Sequence, residues 1–122
     1  MKCIYKNRFG QSGELKAKEY LEKSNLKFIR SNYRFDRAEI DLIFTDEESK
    51  TLVFVEVKTR SSMNFGDPLE AVNALKQNQI RKAAMGFVSE NDQYSGYDMR
   101  LDVVTVIKSN DKTEIRHYPN AF

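Results

Sequence analysis

One cysteine, Cys3, and one histidine, His117, are all that this chain offers to soft-metal chemistry. A single thiol excludes a disulfide framework within the chain and favours a reducing cytoplasm. A zinc site built from His and Cys needs several such ligands and is excluded in practice. A Ser-His or Cys-His nucleophile pair is excluded too, unless His117 serves in it. No repeat, low-complexity tract or linker interrupts the 122 residues, so one domain covering residues 1–122 is expected. The opening segment MKCIYKNRF has no apolar signal core, and no later run is long enough to span a bilayer, so no membrane partner is expected. A strong charge of one sign is also missing. The formal net charge is +2, which by itself announces no polyanionic partner. Lys and Arg are dense between Lys2 and Arg37, where a solvated surface and a polyanion-binding face explain them equally well.

What is present suffices for a core. Hydrophobic residues make up 40% and charged residues 31%, and a chain of this length folds without disulfide or metal staples. The pattern gives seven elements. Helical spacing of Ala17, Tyr20 and Leu21 predicts a helix over about Phe9–Ser24. Strands are expected over NLKFIRSNYRF, AEIDLIFTD and TLVFVEVKTR. Asp67-Pro68-Leu69-Glu70 has the chemistry of a helix start, with Asp67 as N-cap, and that helix should reach about Val88. YDMRLDVVTVIKS and TEIRHY complete the set as strands. The order is α-β-β-β-α-β-β. The Thr51–Thr59 strand, the helix after it and the Leu101–Ile107 strand form a crossover, which implies parallel pairing within a mixed α/β sheet flanked by helices.

Charges interrupt these apolar patterns at particular places. On the third strand Leu52, Phe54, Glu56 and Lys58 share one face. On the second, Ile40, Leu42 and Phe44 share one face, and Asp41 lies on the other with Glu39 and Ile43. Lys76 falls inside the apolar stripe Val72, Ile80, Ala83 and Phe87 of the second helix, and Glu14 borders the apolar face of the first. Carboxylates and lysines are almost never buried unless paired. Each intrusion taken alone is explained by a salt bridge or a half-exposed rim position. Asp41, Glu56 and Lys58 together, on neighbouring strands, point instead to one shared site.

Metal-assisted hydrolysis suits such a group. A hard cation such as Mg²⁺ or Mn²⁺ wants oxygen ligands and keeps several waters, so Asp41, Glu56 and the backbone carbonyl of Val57 would suffice. Lys58 would orient the attacking water or stabilise charge on a phosphate.

These residues, Asp41 followed by fourteen others, Glu56, one residue and Lys58, resemble the signature of the PD-(D/E)XK nuclease superfamily. GQSGELKA, NYRF, AEIDLIF, LVFVEVKTR, FGDPLEAV, Lys76 and RLDVVTV, in that order, resemble the bacterial YraN-like family, grouped with endonucleases and similar to Holliday-junction resolvases. The resemblance implies a restriction-endonuclease-like fold, metal ligands at Asp41 and Glu56, and a catalytic lysine at Lys58. It also implies an accessory acid at Glu14 and an accessory base at Lys76. Ala38 and Leu101 depart from the family pattern, which has Gly and Phe there; both are structural positions.

The resulting expectation is a Mg²⁺- or Mn²⁺-dependent nuclease acting on DNA, with branched or junction DNA among its candidate substrates and a homodimer as a plausible assembly. The rivals are a nucleic-acid-binding module without turnover and a structural protein whose polar cluster is an ion-pair network. Lys16, Lys18, Arg34, Arg37 and Arg60 are candidate phosphate contacts, with solvated surface as the plainer reading. Asn32 reads as a turn residue, Tyr94 and Tyr97 as packing residues, and His117 as an exposed strand residue.

Overall fold

The computed structural model describes residues 4–61 and 72–122, the side chains of 4–10 excepted. Helix α1 spans Ile4–Lys23, and three strands follow, β1 (Lys27–Phe35), β2 (Ala38–Asp46) and β3 (Thr51–Arg60). Helix α2 spans Ala74–Glu90, a single 3₁₀ turn covers Asp92–Tyr94, and β4 (Asp98–Ser109) and β5 (Lys112–Tyr118) close the chain. All five strands form one sheet in the order β1-β2-β3-β4-β5. Every neighbouring pair is antiparallel except β3 and β4, which run parallel across the α2 crossover. The mixed sheet and its element order are those expected from the sequence.

One helix covers each face. Ala17 and Leu21 of α1 pack with Leu42, Phe44, Val53, Val55, Val104 and Val106. Ile80, Ala83 and Phe87 of α2 pack with Ile40, Ile43, Leu52, Phe54 and Val103 on the other side. Leu52 to Val55 are therefore buried from both sides, as an unbroken apolar run predicts for a central strand. Ala38 and Leu101 are buried, as structural positions should be.

The second helix differs from expectation at its start. It begins at Ala74 because Asn73, in an extended conformation, accepts a hydrogen bond from the Lys76 backbone N–H on its side chain. Val72, counted in the apolar stripe, is buried but precedes the helix. The cap expected at Asp67, with Pro68 and Glu70, lies outside the described residues. Tyr94 and Tyr97 are packing residues: Tyr94 stacks on Phe87, and Tyr97 meets Tyr94 edge-on.

Candidate active site

The site forms where the sheet opens. The β2–β3 ladder runs from Asp46 opposite Thr51 to Leu42 opposite Val55 and stops there. Strand β3 continues to pair with β4 as far as Arg60 opposite Ile107. Among the described residues, those from Glu56 onward are thus paired on one edge only, and no strand lies along their other edge, which opens a gap. The β1–β2 ribbon also turns over at this level. Leu42, paired with Ser31, packs on the α1 side, whereas Ile40, paired with Tyr33, packs on the α2 side. The step between them, Asn32 and Asp41, is missing from the ladder, and Asn32 has φ 53°. Asn tolerates this left-handed conformation because its short polar side chain hydrogen-bonds locally. Simple alternation, which put Ile40, Leu42 and Phe44 on one face, therefore fails at Asp41.

The overturn delivers the Asp41 carboxylate into the gap. Its Oδ2 accepts the Val57 backbone N–H at 2.7 Å, replacing the strand partner that Val57 lacks. In a strand the N–H and C=O of one residue point to the same side, so the Val57 carbonyl opens onto the gap as well. Glu56 is buried at 6% exposure. Its Oε1 lies 3.4 Å from Lys58 Nζ and 3.8 Å from Lys76 Nζ. Lys76 is held over Glu56 by the first turn of α2, so the late start of that helix decides its position.

Burial pushes the Asp41 carboxyl up to about 8, and the charges of Glu56, Glu14 and Glu39 push in the same direction against the Val57 hydrogen bond. Asp41 thus sits among carboxylates, in surroundings that demand a proton or a cation. Direct contacts join Asp41 to Val57 and Glu56 to Lys58 and Lys76, Glu56 and Val57 being neighbours on β3, and the charges of Glu56 and Glu14 act on Asp41. Among the described residues no three Asp, Glu, His or Cys side chains are arranged to hold a metal ion by themselves. A cation here would take Asp41, Glu56 and the Val57 carbonyl, and complete its shell with water, which suits a hard ion.

The candidate phosphate contacts are more scattered. Lys16 and Arg37 are exposed, Arg34 pairs with Glu39 at 2.9 Å, Lys18 Nζ lies 4.3 Å above the Phe28 ring, and Arg60 bonds the Thr59 carbonyl.

A second carboxylate was missed by the sequence reading. Asp102 on β4 is fully buried and accepts four hydrogen bonds, two from Arg100, one from Asn120 N–H and one from His117 Nε2. His117 is therefore no exposed strand residue: its side chain is 15% exposed and pins β5 to β4. The signal was available, since Asp102 interrupts the apolar run of RLDVVTV as Asp41 interrupts AEIDLIF.

No helix among the described residues is long and apolar enough to cross a membrane. Comparison with known proteins agrees with the resemblance of the motifs. The family described as "Uncharacterised protein family UPF0102" matches residues 13–106. A UPF0102 protein of Geobacter metallireducens is 40% identical over 98% of this chain and 95% of its own length. One of Natranaerobius thermophilus is 41% identical over 93% of this chain and 95% of its own. One of Caldanaerobacter subterraneus is 38% identical over the whole of both chains. The chain belongs to the UPF0102 family, the YraN family that its motifs resemble.

Proposed function

We propose that this protein is a metal-dependent nuclease that hydrolyses phosphodiester bonds in DNA. The observation that carries the reading is the Asp41 carboxylate. It is placed where the sheet opens, surrounded by Glu56, Glu14 and Glu39, and bonded to one backbone N–H. A carboxylate serving only structure is surrounded by donors; this one is surrounded by acids.

Asp41, Glu56 and the Val57 carbonyl would hold Mg²⁺ or Mn²⁺, which when bound polarises a phosphoryl oxygen and acidifies water. The remaining roles belong to the chain itself. Lys58 lies beside Glu56 at the rim of the gap, where its ammonium would stabilise charge growing on the phosphate or orient the attacking water. Lys76 neutralises Glu56 from the other side and keeps that carboxylate oriented. Glu14 adds a third acid as an accessory group on the α1 side. The phosphate backbone would be gathered by exposed cations such as Lys16 and Arg37, so affinity should fall steeply as salt rises. Branched or junction DNA has two scissile strands, which a homodimer would address with two sites. A reducing cytoplasm, where such substrates occur, agrees with the single cysteine.

The ion-pair reading has one observation in its favour, the Glu56 contacts to Lys58 and Lys76. It leaves Asp41 without a cation, and so explains half of the site. Cleavage assays with Mg²⁺, Mn²⁺ and chelator on linear, flapped, single-stranded and four-way-junction DNA separate the readings. Metal-dependent cleavage lost in Asp41→Asn supports the nuclease. Salt-dependent binding without cleavage leaves a binding module, and no binding at low salt leaves the ion-pair network.

A further inference from the structure

Gly13 is a buried residue in the middle of α1, where glycine is among the poorest helix formers. Such a glycine is explained when backbone must approach closely. Here the approach is to Thr59 on β3, which lies on the same side of the strand as Val57, three residues beyond Glu56. A Cβ added at Gly13 would fall 2.1 Å from Thr59 Oγ1 and 3.2 Å from both Thr59 Cβ and Cγ2. The neighbouring turn is fastened as well, since Lys108 Nζ on β4 donates to Ser12 Oγ at 2.6 Å. Helix α1 is thus pressed onto the open end of β3 at the turn that carries Glu14. That placement brings Glu14 to the cleft it lines with Asn32 and Leu42, next to the gap, and its charge reaches Asp41.

We propose that Gly13 is a positioning residue: its missing side chain lets α1 seat on Thr59 and so sets Glu14 in the cleft it lines with Asn32 and Leu42, residues at the Asp41 step. The catalytic meaning of this contact rests on the nuclease reading; the contact and its effect on Glu14 do not. A methyl group at Gly13 must move either the helix or Thr59. Because β3 is paired with β4 through Arg60, its backbone holds, and the strain falls on the helix and the Thr59 side chain.

Five variants and two readouts test this. Single-turnover cleavage of the best DNA substrate should fall by about 100-fold in Gly13→Ala, the order of loss that a misplacement of about 1 Å produces. Thr59→Ala alone should cleave like the parent, and Gly13→Ala/Thr59→Ala should regain most of the lost rate, because the clash is with the threonine hydroxyl and methyl. In a Glu14→Gln background, Gly13→Ala should cause no further loss. Additive losses in that background, or failure of Thr59→Ala to rescue, would mean that the glycine serves packing alone and would overturn the proposal. The second readout needs neither metal nor DNA. A crystal structure of Gly13→Ala should show Glu14 withdrawn from the cleft it lines with Asn32 and Leu42, and one that leaves Glu14 in place would overturn the proposal. If the parent protein cleaves nothing, the nuclease reading falls, and the crystal structure alone still decides the positioning role.

Discussion

Asp41 and Asp102 are two carboxylates of one sheet, the first half-buried and the second fully buried, and they are solved in opposite ways. Asp102 lies opposite Val55, one residue past the end of the β4–β5 ladder, and four donors close on its two oxygens. Burial alone would raise its pKa, but the bonds from His117, Arg100 and Asn120 outweigh that and lower it. Asp41 lies where β2 leaves β3, has one backbone donor, and is raised to about 8 by burial and by neighbouring acids. The first arrangement is complete as it stands. The second has a single donor among the described residues, the Val57 N–H. Each lies where a ladder ends, and the neighbours decide the outcome: Arg100, His117 and the terminal turn at Asn120 bring donors to Asp102, whereas one backbone N–H reaches Asp41.

The largest effect should come from breaking the completed site. Asp102→Ala leaves Arg100, His117 and the Asn120 N–H without their partner and should cost about 3–5 kcal/mol of stability. Urea denaturation measures this directly, and a loss under about 1 kcal/mol would show that the network is dispensable.

Lys58→Ala comes next and acts on rate. Losing a charge that stabilises the transition state should slow cleavage by roughly 10²–10³-fold, with DNA binding held within about threefold. If the melting temperature falls while the rate holds, Lys58 is only a structural partner of Glu56.

The comparison is sharpest in Asp41→Asn, which should stabilise the metal-free protein by on the order of 1 kcal/mol at pH 9, in the manner of other stability–function trade-offs. Asn keeps an acceptor for the Val57 N–H and removes the charge. At pH 3 the two forms should be nearly equal, because Asp41 is then protonated in both the folded and the unfolded chain. Destabilisation by this change at pH 9 would contradict the account.

The same pair of residues sets opposite slopes in pH. Folded Asp41 keeps its proton up to about 8, whereas the unfolded chain releases it near 3.8. The folded state therefore binds more protons across that window, and stability falls as pH rises through it. Asp102 is held below the ordinary aspartate value, so its contribution is present above the unfolded pKa and is lost as pH falls through the folded one. Denaturation curves from pH 3 to 9 should show both limbs, with Asp41→Asn flattening the alkaline one. The smallest effect belongs to Lys76→Ala, whose contact with Glu56 is long and partly solvated and is worth about 0.2–1 kcal/mol.

The central strand was the most readable part of the sequence, since an apolar run broken by Glu56 and Lys58 fixes both its burial and its two charges. Asp41 was legible as a candidate but not in its placement. A period of two cannot reveal that the β1–β2 ribbon turns over at Asn32, and that overturn is what carries Asp41 into the gap. The cap at Asn73 was eclipsed by the stronger local chemistry of Asp67 and Pro68, although Asn is as good a cap as Asp. Asp102 and His117 went unread because their partnership spans two strands and a terminal turn. The seat of Gly13 on Thr59 joins residues far apart in the chain and has no sequence pattern of its own.

The central claim is that Asp41 awaits a cation, and calorimetric titration of Mn²⁺ at pH 7 tests it most directly. Run in two buffers of different ionisation enthalpy, the titration should show one Mn²⁺ bound by the parent protein with release of a proton, since the cation takes the place that the proton holds on Asp41. Asp41→Asn should not bind. Equal Mn²⁺ affinity in Asp41→Asn, or no binding by the parent protein, would contradict the account.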